Sequence, residues 1–158
     1  MKTFNAAVVL AFISIPLFAQ NSYVAQATTT ALTIQQPATN AKAVTLGVGP
    51  GSTEKAASVY CASAQTATLS WNGTAATTTS ATVTPIPPTA TSSNIAVAFA
   101  ASNVGAGTSG PVYTIPAGAT FLISLMGIRL PPGNGGSTNN FTITTSGTCT
   151  ITITWTEQ

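Results

Sequence analysis

The stretch Cys149-Thr150-Ile151-Thr152-Ile153-Thr154-Trp155 alternates without a break between an apolar side chain and a threonine. Successive side chains of a strand point to opposite faces. One face therefore carries Cys149, Ile151, Ile153 and Trp155, and the other carries Thr150, Thr152 and Thr154. Upstream, Phe141-Thr142-Ile143-Thr144 repeats the pattern. A two-residue turn between the two runs would set Ile143 against Thr150. A three-residue turn at Ser146-Gly147-Thr148 sets Ile143 against Ile151 and Phe141 against Ile153. Register follows the buried face, so the pattern predicts that turn or an equivalent bulge.

Moving outward, short alternating runs recur between clusters of Gly, Pro, Ser, Thr and Asn, and no stretch shows helical periodicity. Strands are predicted at Ala31–Gln35, Ala43–Leu46, Ser58–Ala62, Ala67–Trp71, Ala81–Thr84, Ile95–Ala100, Val112–Ile115 and Thr120–Leu125, besides the two C-terminal runs. That spacing predicts an all-β chain, an Ig-like or jelly-roll-like antiparallel β-sandwich. Ile95–Ala100 has no polar side and is expected to be covered on both faces. Pro85-Ile86-Pro87-Pro88 is stiff and excluded from a central strand. Pro131–Asn140, with three glycines, reads as a flexible loop. One helical turn is expected near Ser52–Ala57, capped by Ser52 with Glu54 in its first turn.

The chain opens with Lys2 and an apolar run, Ala6–Phe18, too short for a membrane helix of ~20 residues. This is the pattern of a secretory signal. Ala25-Gln26-Ala27 offers an A-x-A exit, and Leu17-Phe18-Ala19 a weaker one. The expected organisation is a signal peptide over 1–27 and a single β-sandwich domain over 28–158, with an N-terminal extension over 28–37. The expected location is secreted, extracellular or at the cell surface, with no membrane span once the leader is gone. Cys61 and Cys149, an even pair in an exported chain, read as a disulfide. Closing so long a loop is worth ~4.5 kcal/mol on a chain-entropy estimate.

Only 4% of residues are charged, against about 25% in an average soluble domain. Little like-charge repulsion remains to hold copies apart. Threonine supplies the polar surface instead, with 29 in residues 28–158, and its branched Cβ suits strands.

The same composition excludes most chemistry. The chain has no histidine and two acidic residues, both glutamates, which removes Ser-His and Cys-His nucleophiles and the usual zinc ligands. Glu54 and the near-terminal Glu157 make a poor glycosidase pair. Calcium would need several carboxylates. Ser52-Thr53-Glu54-Lys55 fits S-x-x-K, but its companion elements are absent. Gly47–Gly51 lacks the lysine of a phosphate loop. So few cations make no nucleic-acid footprint. The sequence therefore predicts no enzyme, no catalytic residue, no cofactor, no metal and no nucleic-acid partner. Trp71, Trp155, Tyr60 and Tyr113 could stack on sugars, although strand aromatics more commonly pack in a core. Asn72-Gly73-Thr74 and Asn140-Phe141-Thr142 fit the N-glycosylation pattern.

Thr29–Gln36 after the leader and Thr148–Trp155 at the end, in a Thr/Ala/Gly-rich domain with one disulfide, make the chain resemble the pilin or fimbrial class of extracellular filament subunits. Chaperone–usher pilins differ in placing both cysteines early in the domain, whereas Cys149 is nearly terminal. The resemblance implies a structural subunit whose partner is another copy of itself, joined by exchange of an extended strand. Leu32 and Ile34 would be the inserted side chains, Pro37 the hinge, and Cys149–Trp155 the receiving edge. Pairing of the same segment within its own chain remains open. The other reading is a secreted carbohydrate-binding or adhesive β-sandwich module, with glycans as partner.

Overall fold

The computed structural model describes residues 21–36, 42–47, 56–71, 83–86, 96–99, 108–125, 128–132 and 139–157. Ten strands are found there: β1 Asn21–Gln36, β2 Val44–Leu46, β3 Ala56–Tyr60, β4 Gln65–Trp71, β5 Val83–Ile86, β6 Ala96–Phe99, β7 Thr108–Ile115, β8 Thr120–Ser124, β9 Arg129–Leu130 and β10 Asn139–Glu157. All belong to one antiparallel sheet. The all-β expectation is met, with a sandwich-like, half-barrel curl.

The ten strands reduce to five columns. β10 and β1 run antiparallel along their full lengths in the middle. Beyond β10 lies a column made end to end of β2, β3 and β4, each paired with a different part of β10. Beyond that lie β9, β8 and β7, paired with β2, β3 and β4 respectively. On the far side of β1 lie β5 and β6.

The breaks within these columns line up. β3 and β4 are interrupted at residues 61–64, and β7 and β8 at residues 116–119. An isolated bridge joins Cys61 to Ala117 across the two gaps. In the central pair the register slips between Thr29 and Ala31, so that Thr30 alone faces Thr145, Ser146, Gly147 and Thr148. A corridor of irregular backbone thus crosses four columns. Bulges of this kind bend strands and let a sheet fold over its own core.

The ends of β10 show how far it bends. At about 3.3 Å per residue a straight strand of its length would reach ~60 Å. Yet Asn139 at one end donates to the Pro131 carbonyl (3.4 Å), Leu130 pairs with Val44, and Val44 pairs with Glu157 at the other end. Two strand spacings separate ends that a flat sheet would hold far apart.

One apolar core fills the fold. β10 contributes Phe141, Ile143, Cys149, Ile151, Ile153 and Trp155; β1 contributes Tyr23, Ala25, Leu32 and Ile34. The inward face of β1 therefore changes from odd to even positions across Thr30, which is what an odd slip in a period-two pattern requires.

Several expectations need correction. The C-terminal runs form no hairpin: the bulge alternative is realised inside one continuous strand. Ile143 lies opposite Leu32 and Leu69, and Ile151 opposite Ala27 and Val59. The chain never reverses because β1 and the β3–β4 column hold both arms. Cys149–Trp155 is consequently no free edge, being paired on both sides. Glu157 is no frayed tail: it is buried and paired with Asn21 and Val44. Ala56–Ala57 begins a strand, not the end of a helical turn, and residues 52–55 lie outside the described residues. Pro85 sits within β5, whose pairing is to β1 alone among the described residues, the edge setting where proline is tolerated. Asn139 and Asn140 belong to β10, not to the preceding loop. Ile95–Ala100 is recovered as β6, and the burial of its side chains lies outside the described residues.

Candidate functional site

The β1–β10 seam gathers most of the residues that the sequence singles out. On the core side, Tyr23 stacks on Trp155 with ring centroids 5.8 Å apart. Ala25 faces Ile153, Leu32 faces Ile143, and Ile34 faces Phe141. Phe141 in turn meets Trp71 at 6.0 Å, tilted. On the other face a polar ladder ties the two strands: Gln26 Nε2 donates to Thr152 Oγ1 at 2.8 Å, and the Thr28 and Thr150 hydroxyls lie 3.1 Å apart. Beyond the bulge the Thr33 and Thr142 hydroxyls meet at 2.9 Å and are buried. Cross-strand threonine pairs of this kind each contribute roughly 0.2–1 kcal/mol.

At the corridor the irregular backbone is held by side chains and a covalent bond. Ser146 Oγ accepts from the Thr66 N–H (2.9 Å) and donates to Gln65 Oε1 (2.7 Å). Thr145 Oγ1 donates to the Gly147 carbonyl at 2.8 Å. Cys61 and Cys149 are joined in a disulfide with Cα atoms 4.4 Å apart, at facing positions of β10 and the β3–β4 column. Gly118, at φ 69°, turns its N–H onto the Cys61 carbonyl at 2.8 Å; a side chain there would carry the steric cost of a left-handed backbone.

At the far end of the seam the Gln36 amide donates to the carbonyls of Lys42 and, at 3.2 Å, of Pro131. The chain leaving β1 is thereby held against the start of its own β2. Thr28–Gln36, with Leu32 and Ile34, pairs within its own chain.

The remaining candidates are dispersed. Trp155 is fully buried and donates its indole N–H to Glu157 at 3.4 Å. Trp71 and Tyr113 are half-buried, and Tyr113 packs on Phe121 across the corridor at 6.1 Å. Tyr60 is 44% exposed, near Leu122 at 51%, and Val112 at 63% lies further along the outer column. Asn140 is 1% exposed and paired with Gln35, so its side chain is not accessible to a glycan in the folded chain. Asn72, Ser52, Glu54 and Lys55 lie outside the described residues. Among the described residues no three His, Cys, Asp or Glu side chains come together, and no helix is long and apolar enough to cross a membrane. The disulfide fits an oxidising compartment.

Residues 21–27 carry seven of the fifteen register pairs of the seam, although the sequence pattern assigns them to the end of a signal peptide over 1–27. Their own alternation, Tyr23 and Ala25 inward with Gln26 outward, was the signal. Comparison with protein-family models, curated proteins and solved structures returns no match.

Proposed function

We propose that this chain is an exported structural subunit of an extracellular filament, polymerising by donation of its N-terminal strand to a neighbouring copy. The observation that carries the reading is the position of β1. It is the first of the described strands, central in the sheet, paired with β10 on one side and with β5 and β6 on the other, and it supplies core side chains on both sides of its bulge. A subunit whose own β1 is elsewhere has a groove with two rows of unpaired backbone groups and apolar pockets for Tyr23, Leu32 and Ile34. A neighbour's β1 fits that groove contact for contact. Passing the strand from copy to copy is a head-to-tail arrangement that does not close, so it yields an open filament. Near absence of charge suits permanent association.

Negative-stain microscopy of the native secreted material tests this, together with a chain lacking Asn21–Gln36. Long polymers in the native sample, none from the truncated chain, and capture of a synthetic Asn21–Gln36 peptide during refolding are expected. Normal polymers from the truncated chain would refute strand donation. A glycan-binding module is the second reading. It rests on Tyr60, exposed near Leu122 on the β3–β8 pair, because the tryptophans are committed to packing. Selective binding on a glycan array, with monomers alone in the micrographs, would favour it.

A further inference from the structure

The Ala25-Gln26-Ala27 triplet has a structural role in the seam that competes with its reading as a protease site. Ala25 and Ala27 lie opposite Ile153 and Ile151, Ala25 being fully buried and Ala27 packed against the core. Gln26, between them, turns to the outer face and bonds Thr152. Two small residues spaced by two are what a strand needs where bulky isoleucines face it. Scission after Ala27 would remove seven of the fifteen β1–β10 pairs, Asn21 to Ala27, and all four pairs that hold β5, Ser22 to Ala25. It would also delete Tyr23 and leave one face of Trp155 uncovered.

The first small residue upstream of β1 is Ala19, directly after the apolar run ends at Phe18 and two residues before β1 begins. A small residue at the end of such a run is where a signal peptide is cut. We propose that the leader is removed between Ala19 and Gln20, so that the whole of β1 belongs to the mature protein. Water adds across that amide, leaving a carboxylate on Ala19 and a free amine on Gln20. An N-terminal glutamine then closes on itself: its amine attacks its own Cδ, a ring amide forms, the Cδ–NH₂ bond breaks and ammonia leaves. No further reactant is needed. The proposal rests on export but is independent of filament assembly.

Intact mass and N-terminal peptide mapping of the protein recovered outside the cell provide the test. The expected first residue is Gln20, lighter by one ammonia and blocked to Edman chemistry where the ring has closed. A first residue at Thr28, or anywhere within β1, overturns the proposal. A retained Met1 on the exported protein overturns both it and the cleaved-leader reading. Two precursor variants are scored by leader removal alone, so that folding does not enter. Ala19→Arg is expected to accumulate uncut precursor and Ala27→Arg to be cut at the wild-type position; the reverse pattern refutes the assignment.

Discussion

Replacing Tyr23 by alanine separates two mature proteins that differ in whether this residue exists. Tyr23 is fully buried, in β1 opposite Trp155, with its ring stacked on the indole at 5.8 Å. Truncating a large buried aromatic costs about 3–5 kcal/mol, the lost transfer energy plus that of the cavity left behind. The ring pair accounts for roughly 0.5–1.5 kcal/mol of that. With a urea m-value of ~1.5–2 kcal/mol/M for a domain of this size, the midpoint should fall by about 2 M. Urea titrations of the purified exported protein, followed by Trp155 fluorescence, give the number. Val24→Ala is the control, because Val24 is only half-buried and its neighbours stay the same. The loss expected there is under ~1.5 kcal/mol. A Tyr23→Ala midpoint within error of wild type would mean that the N-terminal arm of β1 is no part of the stable domain, and the packing argument for Gln20 would fall with it.

Reduction of the Cys61–Cys149 disulfide, or the double alanine variant, should cost about 2–4.5 kcal/mol, since its sequence separation of 88 closes a long loop and it clamps the corridor; a melting temperature unmoved by reductant would contradict this. Gly110→Ala should destabilise by ~1–3 kcal/mol and redden Trp71 emission, because the added Cβ would lie 2.0 and 2.3 Å from Cζ3 and Cη2 of a rigid indole; an unchanged melting curve would show that the ring moves freely. Stability should be nearly flat from about pH 5 to 9, because the slope follows the difference in bound protons between folded and unfolded chains and no histidine titrates there. Even the α-amino group, ordinarily at about 7.7–8.0, is lost once Gln20 cyclises. A steep fall in melting temperature across that window would require a titrating group absent from this account.

Most strands were legible, because Thr-Ile alternation and Pro/Gly punctuation are local. The bulge at Ser146–Thr148 could be deduced from parity, but not whether the chain reverses there. That depends on Ser146 and Thr145 finding partners on Gln65, Thr66 and Gly147, and the two bonds of Ser146 span about eighty residues of sequence. Short strands such as Arg129–Leu130 have no periodicity to read and exist because Val44 and Thr45 lie beside them. Tyr23 and Ala25 lie where two local patterns coincide, since a strand's inward alanines and a protease's preferred small residues look alike. Asn140 shows the reverse failure: a sequence motif was present, but the residue is buried inside a strand paired with Gln35, more than a hundred positions away.

The self-closed fold also constrains how a filament could arise. Exchanging β1 between copies replaces each contact of the seam with an identical one, so the contacts themselves favour neither state. What differs is the connection. Residues 37–43 tether β1 to its own groove, and a short tether corresponds to an effective concentration in the millimolar range. Free copies at micromolar concentration therefore close on themselves, and the Gln36 contacts with Lys42 and Pro131 reinforce that closure. Reopening means breaking fifteen pairs with β10 and eight with β5 and β6, and exposing Tyr23, Leu32 and Ile34 together, an event close to global unfolding and correspondingly slow. On the filament reading, strand donation would therefore have to precede closure, while chains emerge side by side at the point of export. Monomers refolded dilute should stay monomeric when later concentrated, whereas the same chains refolded at high concentration should link. Polymer that forms readily from concentrated, already folded monomer would mean that the subunits join through some other surface, such as the outer column bearing Leu122 and Val112.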